Sequence, residues 1–492
     1  MAPTLGSSGP WAGGSPLPRK PPPFRRPSPP RRIGELLPAA APAPLPRLIR
    51  APVATSDTGH TADASAPEEA MEVLTRDEES LIDHIADVAV SFAASTDSKR
   101  LSASLALVLA RFPACAGRLA KRDVRVADPG QGPVVTPRIC VMHCNEGMYL
   151  TVREADMPTP SVVQGPVASW CFNRVSDFGP GANGAQGAGP LLRATVWSFS
   201  DGGQIITLSF SRALFDVGGA AIFLRTWATL CRDEELGEPS RFSRMGFEAG
   251  LRSISPMLHT DFTSLTQQPE LGKTATRPKY EEPVVASVAL RGATLDAFVE
   301  ELSAKCRKRR LIFNSDVLSP AEAAIGSIME ATFTQNQHVA MVVDYRDTFA
   351  IELSATRHLG NATGIVDLDL SADGGEAAAA LHKRSRLLSN REFWAWKLGQ
   401  PKKPGIPRLT LESWTDRFDI GSIAFGGGAA TGVGVSGDFW RDMAAAADPS
   451  AGSNYALILP IEGGVQLSTM LPLSAAEKVA VRLSCSLWYP SR

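Results

Sequence analysis

The chain has 492 residues, 44% of them hydrophobic and 21% charged, with a formal net charge of −1. That length exceeds one ordinary domain and suits two or three. The near-neutral balance excludes an electrostatically driven nucleic-acid partner, and no apolar run approaches the roughly 20 residues that span a bilayer.

In chain order, residues 1–67 come first, crowded with Pro, Ala, Gly and Ser and with the pairs Arg25–Arg26 and Arg31–Arg32. No acidic residue precedes Glu35. Such a stretch cannot bury enough apolar surface to offset its ordering entropy, so a disordered tail is expected. Its Arg-rich, acid-poor character fits an organelle transit peptide, plastid before mitochondrion, while its proline density fits a plain Pro-rich tail in a cytoplasmic protein.

The folded part is expected from residue 68. Leu81, Ile82, Ile85, Val88, Ala89 and Phe92 recur at helical spacing and predict an amphipathic helix ending near Ala94. A second helix is expected over Ser98–Ala110. Strands are expected at Arg138–His143 and Met148–Glu154, separated by a turn at Cys144–Gly147, then at Leu192–Ser198 and Gln204–Ser209 around a turn at Ser200–Gly203. Residues 175–189 read as a Gly-rich loop, and a helix covers Gly218–Cys231. The polar residues 233–283 read as a crossover linker dividing a first domain, 68–232, from a second, 284–492. That second domain restarts with a strand at Val284–Leu290, helices at Thr294–Cys306 and Val317–Ala331, and a strand at Val339–Asp344. Alternating strands and helices in both halves predict mixed α/β layers.

The seven cysteines are scattered through globular sequence. Cys140 and Cys144, four apart in an expected strand, would share a face. No second Cys or His pair lies nearby at ligand spacing, so reduced thiols are expected and no metal.

Several segments resemble the BAHD acyl-CoA-dependent acyltransferases, in the order that family has them. They are Leu105–Lys121 (LALVLARFPACAGRLAK), Cys144–Asp156 (CNEGMYLTVREAD), Gly202–Asp216 (GGQIITLSFSRALFD), Asn314–Leu318 (NSDVL), Val343–Arg346 (VDYR) with Leu359–Ala362 (LGNA), and Ser413–Gly428 (SWTDRFDIGSIAFGGG). The resemblance spans roughly residues 75 to 490 and implies two similar chloramphenicol-acetyltransferase-like α/β domains with a channel between them. Acyl-CoA would enter one mouth as donor substrate and a small-molecule alcohol or amine the other. It further implies no bound cofactor, no nucleic-acid or membrane partner, and a monomer. A peptide-synthetase condensation domain shares the ancestral fold, but no carrier or adenylation segment accompanies this one.

The central motif departs from the family. Acyl transfer to a hydroxyl needs a base, and an imidazole supplies a lone pair near neutral pH. Where the family has His-x-x-x-Asp this chain reads Arg212-Ala213-Leu214-Phe215-Asp216. A guanidinium has no acceptor and keeps its proton, so Arg212 cannot take the base's role, though it can bind an anion or pair with Asp216. The resemblance gives Asp216 a loop-shaping ion pair with Arg346. Val217 replaces the family glycine, with Gly218 and Gly219 following, so a residue needing positive φ could shift along the loop. The resemblance assigns Phe425, Gly427 and Asn314 to substrate binding, with Ala424–Gly428 departing from the family's Asp-Phe-Gly-Trp-Gly.

Other residues carry weaker signals. Ser211 has no base beside it in sequence. His143, His338, His358 and His382 lack motif context and read as surface or satisfied histidines. Gly426–Gly428, Gly432 and Gly434 lack the Lys-Ser/Thr of a phosphate loop. Lys305–Arg310 reads as a solvated basic helix end, with a CoA phosphate as a second use. The function expected is acyl transfer from acyl-CoA to a hydroxyl or amine, weak or lost because Arg212 replaces the base; the alternative is a ligand-binding pseudoenzyme of the same fold.

Overall fold

The computed structural model describes residues 31–32, 46–52, 71–128, 132–162, 165–167, 169–172, 189–236, 244, 281, 283–335, 337–349, 358–399, 409–446 and 454–489. The expected loop at 175–189 and nearly all of the expected linker therefore lie outside the described residues.

The first half runs β1 (Arg31–Arg32), β2 (Arg47–Ile49), β3 (Met71–Val73), α1 (Arg76–Glu79), β4 (Ile85–Phe92), α2 (Ser98–Arg111), β5 (Arg118–Asp128), β6 (Gly132–Met142), β7 (Met148–Ala155), β8 (Leu192–Phe199), β9 (Gln204–Ser211) and α3 (Val217–Cys231). The second half opens with β10 (Pro283–Arg291), α4 (Gly292–Lys308), α5 (Pro320–Thr332), β11 (Gln337–Asp344), β12 (Thr363–Leu370), α6 (Gly374–Leu388) and α7 (Arg391–Gly399). It continues through β13 (Leu409–Ser413), β14 (Ala424–Phe425), β15 (Gly428–Gly434), α8 (Gly437–Ala446), β16 (Asn454–Ile461), β17 (Gly464–Pro472), α9 (Leu473–Leu483) and β18 (Ser486–Tyr489).

One large mixed sheet crosses both halves in the order β1-β18-β10-β17-β16-β15-β4-β9-β8-β7-β2, with β13, β11 and β12 branching from β16. The join is β15 of the second half, which pairs antiparallel with β4 of the first. Helices α2 and α3 cover the first half's sheet. Trp227 anchors that layer: its indole N–H donates to the Leu101 carbonyl at 3.1 Å while its ring is fully buried. Burying a large apolar side chain completely is worth ~1.5–3 kcal/mol, and Phe210, Phe215, Phe223 and Trp227 share one core. This is the mixed α/β architecture expected, with helices flanking the sheet.

The helix expected to end near Ala94 is instead the strand β4. Its burial is nearly unbroken from Ala86 to Phe92. Ala86, Val88, Val90 and Phe92 face the α2/α3 core, and Ala89 faces a second cluster with Trp197 and Ile205. A short apolar run buried on both faces has no alternation to betray it, so helical spacing matched by coincidence. The strands on either side of Cys144–Gly147 do not form a hairpin. β6 pairs with β5 and β3 in a separate three-stranded sheet, whereas β7 runs parallel to β8. β6 ends at Met142, so Cys144 lies beyond the strand that carries Cys140. All seven cysteines are free thiols. The second helix of the second half begins at Pro320, not Val317. Ser319 caps it in a capping box with Glu322, and Pro320 occupies the first turn, where a missing N–H costs nothing.

The tail is not free throughout its expected length. β2 pairs antiparallel with β7, Leu48 opposite Tyr149. The Asn145 side chain then grips Ala51 twice, accepting from its N–H at 2.9 Å and donating to its carbonyl at 3.2 Å. Gly147, at φ 86°, lets Ile49 approach: a Cβ there would lie 2.2 Å from the Ile49 carbonyl oxygen. Asn145→Ala should therefore lower stability by about 1–2 kcal/mol, two net hydrogen bonds, and speed protease cleavage around residue 51. An unchanged urea midpoint would show that this strap is not bound. Among the described residues no helix is long and apolar enough to cross a membrane.

Candidate active site

β9 ends at Ser211, and the turn after it delivers Arg212 to the seam between the halves. Both main-chain groups of Arg212 are used. Its N–H donates to the His84 carbonyl at 2.9 Å, and its carbonyl accepts from the Asn361 side chain of the second half at 3.0 Å. Ser211 is fully buried with its hydroxyl accepting the Ala213 N–H at 3.2 Å, an arrangement that serves the turn.

Asp216 closes the turn and caps α3. One carboxylate oxygen accepts the Gly219 N–H at 2.9 Å and the Arg346 guanidinium at 2.7 Å; the other accepts the Ala362 N–H at 2.8 Å. Burial alone would raise its pKa. The charge and hydrogen bond of Arg346, with the two backbone N–H groups, outweigh that and bring it down to about 2. Arg346 is itself buried and also binds Asp344 at 2.5 Å and the His358 carbonyl at 2.9 Å. Burial pushes the Asp344 carboxyl up despite Arg346 beside it. Asp216 thus faces Arg346, as the resemblance implied.

The glycines after Val217 act by closeness rather than by φ, since neither Gly218 nor Gly219 is among the positive-φ residues. A Cβ on Gly218 would lie 2.3 Å from the Arg346 guanidinium and 2.3 Å from the Asp344 carboxylate, and one on Gly219 would lie 2.1 Å from the Leu359 carbonyl oxygen. Val217 is accommodated because it stands at the first helical position, outside that contact.

The Arg212 charge acts on Glu412 of β13 and Tyr455 of β16, both buried. Glu412 accepts from Arg417 at 2.5 Å and from the Tyr455 hydroxyl. Burial opposes the Glu412 charge, but Arg417, Arg212 and the Tyr455 hydrogen bond outweigh it and hold the pKa below the ordinary value. Burial, then Glu412, keeps Tyr455 well above its usual range. Neither group is a base at neutral pH: the first is an ionised acceptor already bound, the second a proton donor. No sequence signal pointed to Glu412 or Tyr455, because they come from separate strands far along the chain.

The remaining expectations divide. Phe425 is 2% exposed and packs edge-on between Phe92 and Trp227, at 5.4 and 5.3 Å. Gly427 donates its N–H to Thr96 at 3.1 Å, and a Cβ there would lie 2.3 Å from the Ala94 carbonyl oxygen, so it locks the β14–β15 loop onto the first half. Arg232 binds the Ala424 carbonyl, holding the loop through backbone where the family aspartate is absent. Asn314 is exposed in the turn between α4 and α5 and is not part of the cluster around Arg212.

The basic run at 305–310 is largely paired: Lys305 with Glu330 at 3.1 Å, Arg307 with Glu300, and Arg309 with Asp373 at 2.6 Å. His143 faces Glu72 at 3.2 Å, His382 faces Glu322 at 3.1 Å, and His338 lies between Asp367 and Asp369. His358 is buried, and that burial, with Arg346 and Arg244 nearby, pushes its imidazole down to about 3. Among the described residues no cluster of three His, Cys, Asp or Glu could hold a metal ion.

Residues 84–280 match the model of the transferase family, a segment that contains β4, β9, the Arg212 turn and α3. No curated protein matches the sequence. Among solved structures, this chain is similar in fold to Fusarium sporotrichioides TRI101 complexed with coenzyme A and T-2. The identity is 16% and the TM-score 0.57, over 86% of this chain and 100% of that one. It is similar to vinorine synthase at 14% identity and TM-score 0.55, over 90% of this chain and 97% of that one. The condensation domain of the Monacolin K polyketide synthase MokA shares the fold at 12% identity and TM-score 0.51, over 84% and 96%. The likeness to these structures is one of fold.

Proposed function

We propose that the chain transfers an acyl group from acyl-CoA to the hydroxyl or amine of a small-molecule acceptor, both bound where residue 212 meets the second half. The reading rests on one observation. The Asp216–Arg346 clamp, buried and joined to the backbone of residues 219 and 362, presents the turn carrying residue 212 at the seam between the halves. A clamp of this kind orients a loop without doing chemistry itself, since Asp216 is ionised and its oxygens are occupied. The bound ligands of the Fusarium sporotrichioides structure, coenzyme A and T-2, support a thioester donor here.

A pseudoenzyme is the second reading, favoured by the Arg212 charge facing the Glu412–Tyr455–Arg417 group. A cation balanced in this way locks the seam where a base would be needed. Free-thiol release from acetyl-, malonyl- and benzoyl-CoA, offered with a panel of alcohols and amines, decides between them. Acceptor-dependent release by the wild-type chain is the expected result. Absence of release in wild type together with release by Arg212→His would establish the pseudoenzyme.

For the tail, a plastid address is the proposed role. Residues 1–45 fused to a fluorescent reporter should reach the plastid; cytosolic fluorescence would refute the address.

A further inference from the structure

The base that Arg212 cannot supply has a candidate one strand away. Strands β4 and β9 pair antiparallel with Ile85 opposite Ser211 and Ala86 opposite Phe210. Just past the strand ends one further backbone hydrogen bond, from the Arg212 N–H to the His84 carbonyl at 2.9 Å, joins the two residues. The His84 backbone is held on its other side by its own N–H, which donates to the Leu81 carbonyl at 3.0 Å.

The other described histidines are committed elsewhere. His143, His338 and His382 face carboxylates, and His358 is buried beside Arg346. His84 is exposed, and among the described residues its imidazole has no hydrogen-bond or ion-pair partner. Its strand neighbour, the Arg212 turn, is tied to the second half through Asn361, which also donates to Glu78 at 3.1 Å. An available imidazole is therefore carried by the residue whose backbone meets that of Arg212.

We propose that His84 is the general base of this site, displaced by one strand from the position now held by Arg212. The proposal rests on the acyltransferase reading above. As the acceptor oxygen or nitrogen bonds to the thioester carbonyl carbon, its proton passes to the free imidazole nitrogen. The tetrahedral intermediate collapses, the C–S bond breaks, and the imidazolium returns the proton to the departing CoA thiolate. The products are an ester or amide and free CoA thiol, with no oxidant or reductant required.

The test uses the full chain and thiol release from acetyl-, malonyl- and benzoyl-CoA with the alcohol and amine panel. His84→Gln should lower kcat by about 10²–10⁴-fold, the usual worth of a general base, with KM and the thermal midpoint unchanged. Free imidazole should restore part of the rate to His84→Gly, because the site is open to solvent. Wild-type turnover that His84→Gln leaves within twofold would overturn the proposal and leave the acyltransferase reading standing. No wild-type turnover with any donor would remove that reading, and the proposal with it. Turnover gained by Arg212→His and independent of His84 would overturn it as well.

Discussion

Asp216→Ala is expected to cost about 3–5 kcal/mol of folding stability, the usual price of stranding one partner of a buried ion pair. The aspartate accepts three hydrogen bonds, from Gly219, Arg346 and Ala362, and is fully buried. Its removal orphans two backbone N–H groups and takes from Arg346 one of its two carboxylate partners, leaving Asp344 and the carbonyls of His358 and Gly360. Asp216→Asn should fare little better. Asparagine caps helices as well as aspartate does, but both carboxylate oxygens face donors here, so the amide must aim its own N–H groups at one of them. Urea unfolding reads the difference directly; a midpoint within 0.5 kcal/mol of wild type, on the order of an ordinary surface substitution, would dismiss the clamp.

The same residue sets an acid limit. The folded pKa of Asp216, about 2, lies below its ordinary 3.8, so ionisation favours the folded state. That contribution, about 2 kcal/mol by linkage, is complete above pH ~4 and is lost as pH falls towards 2. Asp344 works in the opposite sense, because burial raises its pKa and protonation relieves it. Stability measured from pH 5 to 2 should fall more steeply in wild type than in Asp216→Ala.

The second large effect concerns Glu412. Replacing it with leucine removes the carboxylate that Arg417 and Tyr455 both bind and that Arg212 faces. Arg417, which is buried, and the nearby Arg212 would then lose the carboxylate that faces both, with Asp344 and Asp216 left to act on Arg417, a penalty of about 3–5 kcal/mol. Adding Arg417→Met should recover much of it, because a buried ion pair replaced whole by apolar side chains is often neutral. Chemical denaturation of the two single variants and the double variant gives the cycle. Additivity of the two losses would refute the network, and a double variant near wild type would support it.

What the sequence alone determined about this protein is its fold class and most of its elements. Helices α2 and α3 and strands β8, β9, β10 and β11 are legible because periodicity is a short-range signal, while the Asp216–Arg346 pair is legible only through the family resemblance. Family order supplied the rest of the scaffold. The errors fell where tertiary burial overrides local pattern. β4 matched a helical spacing because it is buried on both faces, and β6 and β7 were set side by side although they belong to different sheets. Residues 47–51 were read as tail although an edge strand receives them.

Only the tertiary structure decided the chemistry of the seam. Glu412, Arg417 and Tyr455 meet the Arg212 charge, and the His84 carbonyl meets the Arg212 N–H, because the sheet brings together strands from distant parts of the chain. Phe425 became a core residue for the same reason, enclosed by Phe92 and Trp227. Charges and rings find partners in space. A linear pattern states which residues are available, and the folded sheet decides which of them face one another.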